Sequence, residues 1–257
     1  MEHPLDSQSF LEAPAVRRVS VLRPFAWLWM GARDLGFRPA ASFGIGAVVA
    51  VIGLILMTVT WHATYLAPAL LGGFLLVAPF IAMPLYALSR QRAQSAAPDT
   101  PQAFRAWRGN ADSIALFGLM LALAYLAWER LAAIVFALLF TEQVQQVPNL
   151  PPALLLSGQP ASLVLAFFAV GATVAALVFA LGVVSVPSLM DRPLDVITAA
   201  LTSLRCCGRN PVAMLLWAAL IATLTTLGFA TFMLGLVVIF PWLAHASWHA
   251  YREMVDT

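Results

Sequence analysis

Apolar residues in this chain gather in long runs separated by short arginine-bearing segments. A hydrocarbon core of roughly 30 Å takes about 20 apolar residues to cross as a helix. Four runs meet that length, at 41–59, 63–88, 113–140 and 162–187. A fifth covers 211–248, which as one helix would measure about 57 Å, almost twice the membrane. It is therefore expected to fold back near Thr226-Leu227-Gly228, giving spans at 211–227 and 230–248. The fold class predicted is all-α: a polytopic transmembrane bundle of six spanning helices in three hairpins. The domain boundaries expected are a polar, flexible tail over 1–22, a single membrane domain over 23–252 and a C-terminal tail over 253–257.

Between the runs lie three short segments with Pro near the start and Gly near the end, the usual punctuation of helix ends. Segment 24–36 carries Phe25, Leu28, Trp29 and Leu35; segment 100–109 carries Phe104 and Trp107; segment 193–208 carries Leu194, Ile197, Leu201 and Leu204. Each spacing predicts an amphipathic helix lying in the interface ahead of a hairpin. The first and third end alike, with Arg33, Gly36 and Pro39 in one and Arg205, Gly208 and Pro211 in the other, so the pattern reads as three repeated units.

Composition agrees with a membrane solvent: 61% of the 257 residues are hydrophobic and 10% are charged. All fourteen basic residues are Arg, and thirteen of them fall in the segments before the first run, between the second and third, between the fourth and fifth, and after the last. By the positive-inside rule those segments are cytoplasmic, which puts both termini there and favours six spans over five. The expected location is a bacterial inner membrane, multi-pass. No apolar run precedes residue 41, so insertion is expected to proceed through the chain's own helices.

Few residues carry candidate chemistry. Glu129 and Arg130 are the acid and base embedded in a spanning run, where a charge costs about 3 kcal/mol and normally faces protein or water. As neighbours they point about 100° apart, so each is expected to find its own partner, with Tyr125 one turn from Glu129. They offer either a proton or solute site, or a structural clamp snorkelling to the interface. His245 and His249 stand one turn apart and could hold a metal or a haem edge, but Trp242, Trp248 and Tyr251 around them match an interfacial aromatic belt, the reading preferred. Cys206 and Cys207 are adjacent and lack disulfide or zinc-site spacing. No metal, cofactor, nucleophile elbow or phosphate loop is read, and no nucleic-acid partner. Gly46 with Ala50, and Gly171 with Ala175, have the small-xxx-small spacing of close helix contacts. Pro68, Pro79, Pro84 and Pro241 are expected to kink their helices.

The stretches D-R-P-L-D-V-I-T-A-A-L-T-S-L-R from Asp191, N-P-V-A-M-L-L-W-A-A-L-I from Asn210 and A-H-A-S-W-H-A-Y-R from Ala244 make the chain resemble a family of proteobacterial predicted integral membrane proteins of unknown function. R-D-L-G-F-R-P from Arg33, A-P-x-L-L-G-G-F-L-L-V-A-P-F from Ala67 and W-E-R-L-A-A from Trp128 fit as well. The resemblance implies location and topology. Some members bear the label cytochrome c oxidase subunit I, which implies a tie to a respiratory complex, but haem and copper ligation there needs many intramembrane histidines and this chain has four histidines in all. The function expected is that of a non-enzymatic accessory or assembly subunit of a larger membrane complex, touching anionic lipids of the cytoplasmic leaflet. The alternative is a small-solute or proton-coupled transporter or channel built on the Glu129/Arg130 region.

Overall fold

The computed structural model describes residues 14–63, 67–139 and 161–256. Within them the chain is helical: α1 Arg23–Leu35, α2 Pro39–His62, α3 Ala67–Ile81, α4 Met83–Ala93, α5 Thr100–Arg105, a 3-10 turn Ala106–Asn110, α6 Ala111–Leu139, α7 Ala161–Gly182, α8 Ser185–Asp191, α9 Val196–Arg209, α10 Pro211–Ala230 and α11 Leu236–Met254. The third expected span is described as far as Leu139; residue 140 and, of the loop expected over 141–161, residues 141–160 fall outside the described residues.

Among the described residues five candidate spans are long and apolar enough to cross a membrane, against the six expected: Pro39–His62, Ala69–Ala93, Thr100–Ala127, Gly171–Asp191 and Pro211–Ala230. The final apolar run does divide in two, but at the turn 231–235 rather than at Gly228, because α10 continues to Ala230. In that turn Phe232 and Met233 adopt left-handed backbone with φ of 51° and 65°, and the Thr231 hydroxyl accepts from the Gly235 amide at 2.8 Å. Helix α11 falls short of a candidate span because its C-terminal half carries His245, His249, Arg252 and Glu253. The second expected span breaks at Ala82, between α3 with Pro79 inside it and α4 with Pro84 in its first turn. Proline lacks the donor and crowds the preceding turn, so the break falls where the prolines put it.

Helix α11 is the element around which α1, α2 and α4 pack. Glycine permits the close approaches: a Cβ on Gly31 of α1 would lie 2.7 Å from the Ala246 nitrogen, and one on Gly46 of α2 would collide with the Val237 carbonyl. The Gly46/Ala50 pair is thus buried against neighbours, whereas nothing among the described residues approaches Gly171. Trp27, Leu85, Leu88, Leu189, Trp217, Trp248, Tyr251 and Met254 fill the core, with Trp27 and Trp217 edge to face at 5.7 Å. The spans themselves are poorly covered: only 17–39% of each span's apolar window is buried.

Each of the three short helices turns large apolar side chains outward, although α1 also buries Trp27 and Leu28. Phe25 and Trp29 of α1, Phe104 and Trp107 around α5, and Ile197, Leu201 and Leu204 of α9 are exposed, while smaller groups such as Ala103, Ala199 and Ser203 face inward. Helices α5 and α9 are capped by Asp99, which accepts from the Gln102 amide, and by Asp195, which accepts from the Thr198 amide, each at 2.9 Å.

The described parts of both expected tails make contacts with the fold. Val16 bridges Val255 in antiparallel fashion, the Arg17 amide donates to the Met254 carbonyl at 2.8 Å, and Arg17 pairs with Asp256. Asn210 ties the same segment down, accepting from the Val19 amide at 2.9 Å and donating to the Arg17 carbonyl at 3.0 Å. Glu253 accepts from Arg23 at 2.5 Å and from the Trp27 indole at 2.7 Å. Residues 14–22 and 253–256 are therefore structural.

Candidate functional site

Two aspartates at the arginine-bearing end of the helices organise the polar interior. The first, Asp34, sits near the C-terminus of α1 with its side chain 6% exposed. Its Oδ2 accepts from the Ser89 hydroxyl of α4 at 2.6 Å and from His249 Nε2 of α11 at 2.9 Å. Its Oδ1 faces Arg92 Nη1 at 3.1 Å, and Arg92 also donates to the Arg33 carbonyl. Ser89 Oγ lies 2.7 Å from His245 Nδ1, and His245 Nε2 lies 3.0 Å from Ser42 Oγ of α2.

Proton counting gives this chain a direction. Ser89 has one hydroxyl proton, donated to Asp34, so its oxygen accepts from His245 and the imidazole carries its proton on Nδ1. That leaves Nε2 to accept from Ser42. The sequence Ser42, His245, Ser89, Asp34 draws α1, α2, α4 and α11 into one hydrogen-bonded unit, and Arg92 and His249 complete the carboxylate. Burial pushes the Asp34 carboxyl up, but the hydrogen bonds from His249 and Ser89 and the fields of His249 and His245 outweigh it, so it titrates below the ordinary carboxylate value. The array has the residue types of a charge-relay triad, yet Ser42 is fully buried and offers no surface to a substrate.

The second aspartate, Asp191, closes α8 with its side chain 9% exposed. Three guanidiniums surround it: Arg90 of α4 at 3.4 Å, Arg252 of α11 at 3.5 Å and its own neighbour Arg192 at 3.9 Å. The Tyr251 hydroxyl donates to Oδ2 at 2.9 Å. Asn110, at the end of the 3-10 turn, fixes the corner after α8 by donating to the carbonyls of Leu189, Arg192 and Leu194 at 2.9–3.2 Å.

The residues singled out in the sequence fare unequally. His245 and His249 are not an interfacial belt: His245, Trp248 and Tyr251 are buried in the protein, and His249 is bound to Asp34. Composition cannot separate the two, since a belt and a core with polar handles use the same residue types. Among the described residues no group of three or more His, Cys, Asp or Glu is arranged to hold a metal. Glu129 and Arg130 do not seek separate partners but face each other at 3.7 Å, with side chains 36% and 78% exposed. The Tyr125 hydroxyl reaches across to α3, 3.5 Å from the Ala69 carbonyl, beside Gly72. Cys206 and Cys207 are free thiols. Sequence reasoning missed Asp34, Ser42, Ser89 and Arg92, which lie in three separate elements; the i, i+4 histidine pair was the one visible signal.

Poorly covered apolar spans joined at one end by charged hubs define a helical membrane protein. Residues 66–191 match a family described as "Predicted integral membrane protein (DUF2189)", a stretch from the start of α3 to Asp191 itself. No curated protein and no solved structure matches the chain. The chain is an integral membrane protein with several apolar helices.

Proposed function

We propose that this protein is a non-enzymatic accessory or assembly component that packs against a larger membrane complex. The observation behind this reading is the Glu129–Arg130 pair, which projects from α6 with Arg130 78% exposed while apolar sequence continues on both sides. The pair lies just past the candidate span that ends at Ala127, in a helix that stays apolar to Leu139. Charges in such a helix are stable against protein or water and costly against lipid, so an outward pair here favours a covering partner. The arginine-bearing end is read as cytoplasmic, with the outward apolar faces of α1, α5 and α9 resting on the anionic leaflet.

Purification in mild detergent from native membranes, followed by a native gel and mass spectrometry, tests this. A stoichiometric complex that dissociates in Arg130→Ala is expected. A lone monomer, together with proton-coupled uptake lost in Glu129→Gln, would establish the transporter reading instead.

A further inference from the structure

We infer that the three guanidiniums gathered on Asp191 form a binding site for a phosphate group, carried by a lipid headgroup or by a soluble phosphorylated molecule. The inference is independent of whether the protein joins a complex.

Charge is the first argument. Arg90, Arg192 and Arg252 bring three positive charges to one carboxylate, and Tyr251 adds a neutral donor. The excess of two matches a phosphate monoester, which carries about −1.5 to −2 at neutral pH. Two further acids at this end have partners of their own: Asp34 is taken by Arg92 and His249, and Glu253 by Arg23 and the Trp27 indole.

Geometry is the second. Charge-assisted N–H···O bonds close to about 2.7–2.9 Å, whereas the contacts on Asp191 are 3.4, 3.5 and 3.9 Å. A guanidinium has five N–H donors, so one carboxylate at these distances leaves most of the donors from three arginines unspent. Arg252 also lies over the Trp248 ring at 5.8 Å, a contact that uses its face and not its edge.

Placement is the third. The arginine side chains are 28–42% exposed and the carboxylate 9%, so Asp191 lies beneath and the guanidiniums open outward. The corner is built before any ligand arrives: Tyr251 holds Oδ2, Asn110 ties the Leu189 carbonyl within α8 to those of Arg192 and Leu194 after it, and the arginines come from α4, α11 and the α8 end. Such preorganisation lowers the ordering cost of binding.

The test uses the full chain in phosphatidylcholine nanodiscs, following thermal unfolding at constant ionic strength. One arm titrates inorganic phosphate against chloride; the other replaces part of the lipid with phosphatidic acid. Stabilisation of the wild type is expected in at least one arm, weakened roughly tenfold in apparent affinity in Arg252→Gln and in Arg192→Gln, each of which removes one of three charge-assisted contacts. Arg209→Gln, at an exposed arginine outside the hub, should bind as the wild type does. A response to phosphate marks a soluble ligand, and a response to phosphatidic acid alone marks a headgroup; either supports the site. Absence of both responses, or an equal loss in Arg209→Gln, overturns it. Unliganded unfolding temperatures identify any variant that fails to fold, and Arg192→Lys, which keeps the charge, should then retain most of the response.

Discussion

Asp34 and Asp191 are carboxylates of similar burial at the same end of the protein, but their surroundings differ in kind. Asp34 is matched: one guanidinium, one serine and one imidazole fill its two oxygens at 2.6–3.1 Å. Asp191 is oversupplied: three guanidiniums stand off at 3.4–3.9 Å. A buried charge is tolerated when its partners are close and complete, and removing one partner then costs more than the pair contributes. Surplus cations around one carboxylate instead leave donors for something outside the chain. The first hub holds helices together; the second is poised to recognise.

That contrast can be broken in steps of decreasing size. Asp34→Asn should destabilise the folded protein by about 3 kcal/mol, since it strands Arg92 and His249 in a site built for a carboxylate; denaturant titration in detergent micelles reads this. Ser89→Ala should cost about 2 kcal/mol by the same measurement, because the one hydroxyl serves both Asp34 and His245. Asp191→Asn should cost only about 1 kcal/mol, its arginines being partly solvated, and phosphate should stabilise this variant more than the wild type. Equal costs at Asp34 and Asp191 would erase the distinction.

The smallest effect is on pH dependence. The Asp34 carboxyl titrates below its ordinary value, so its contribution to stability is present above an unfolded pKa of about 3.9 and is lost as pH falls through the folded one. Unfolding temperatures followed into acid below about pH 4 should fall more steeply for the wild type than for Asp34→Asn.

Periodicity and length foretold the helical class, the division of the last apolar run and the proline break in the second. Phe25, Trp29, Ile197 and Leu201, read as the greasy faces of interfacial helices, are exposed on the outside of the fold, while small residues such as Ala199 and Gly31 are what permit helices to approach. The Asp34 hub was invisible because its members come from four helices, with Ser42 and His245 separated by 203 residues. Asp191 and its arginines looked like ordinary positive-inside punctuation. Only the folded chain shows three of those arginines converging on one acid.

Helix α11 has a further consequence for how the protein is made. It follows α1, α2 and α4 in the chain, yet all three pack on it, and Val16 pairs with Val255 beyond its end. Earlier helices can enter the bilayer as they emerge, but Gly31, Gly46 and Ser42 do not meet their α11 partners until that helix arrives. The polar interior around Asp34 is therefore complete only once α11 is in place. A chain that stalls before residue 236 would leave Ser42 and Ser89 without His245 and Asp34 without His249.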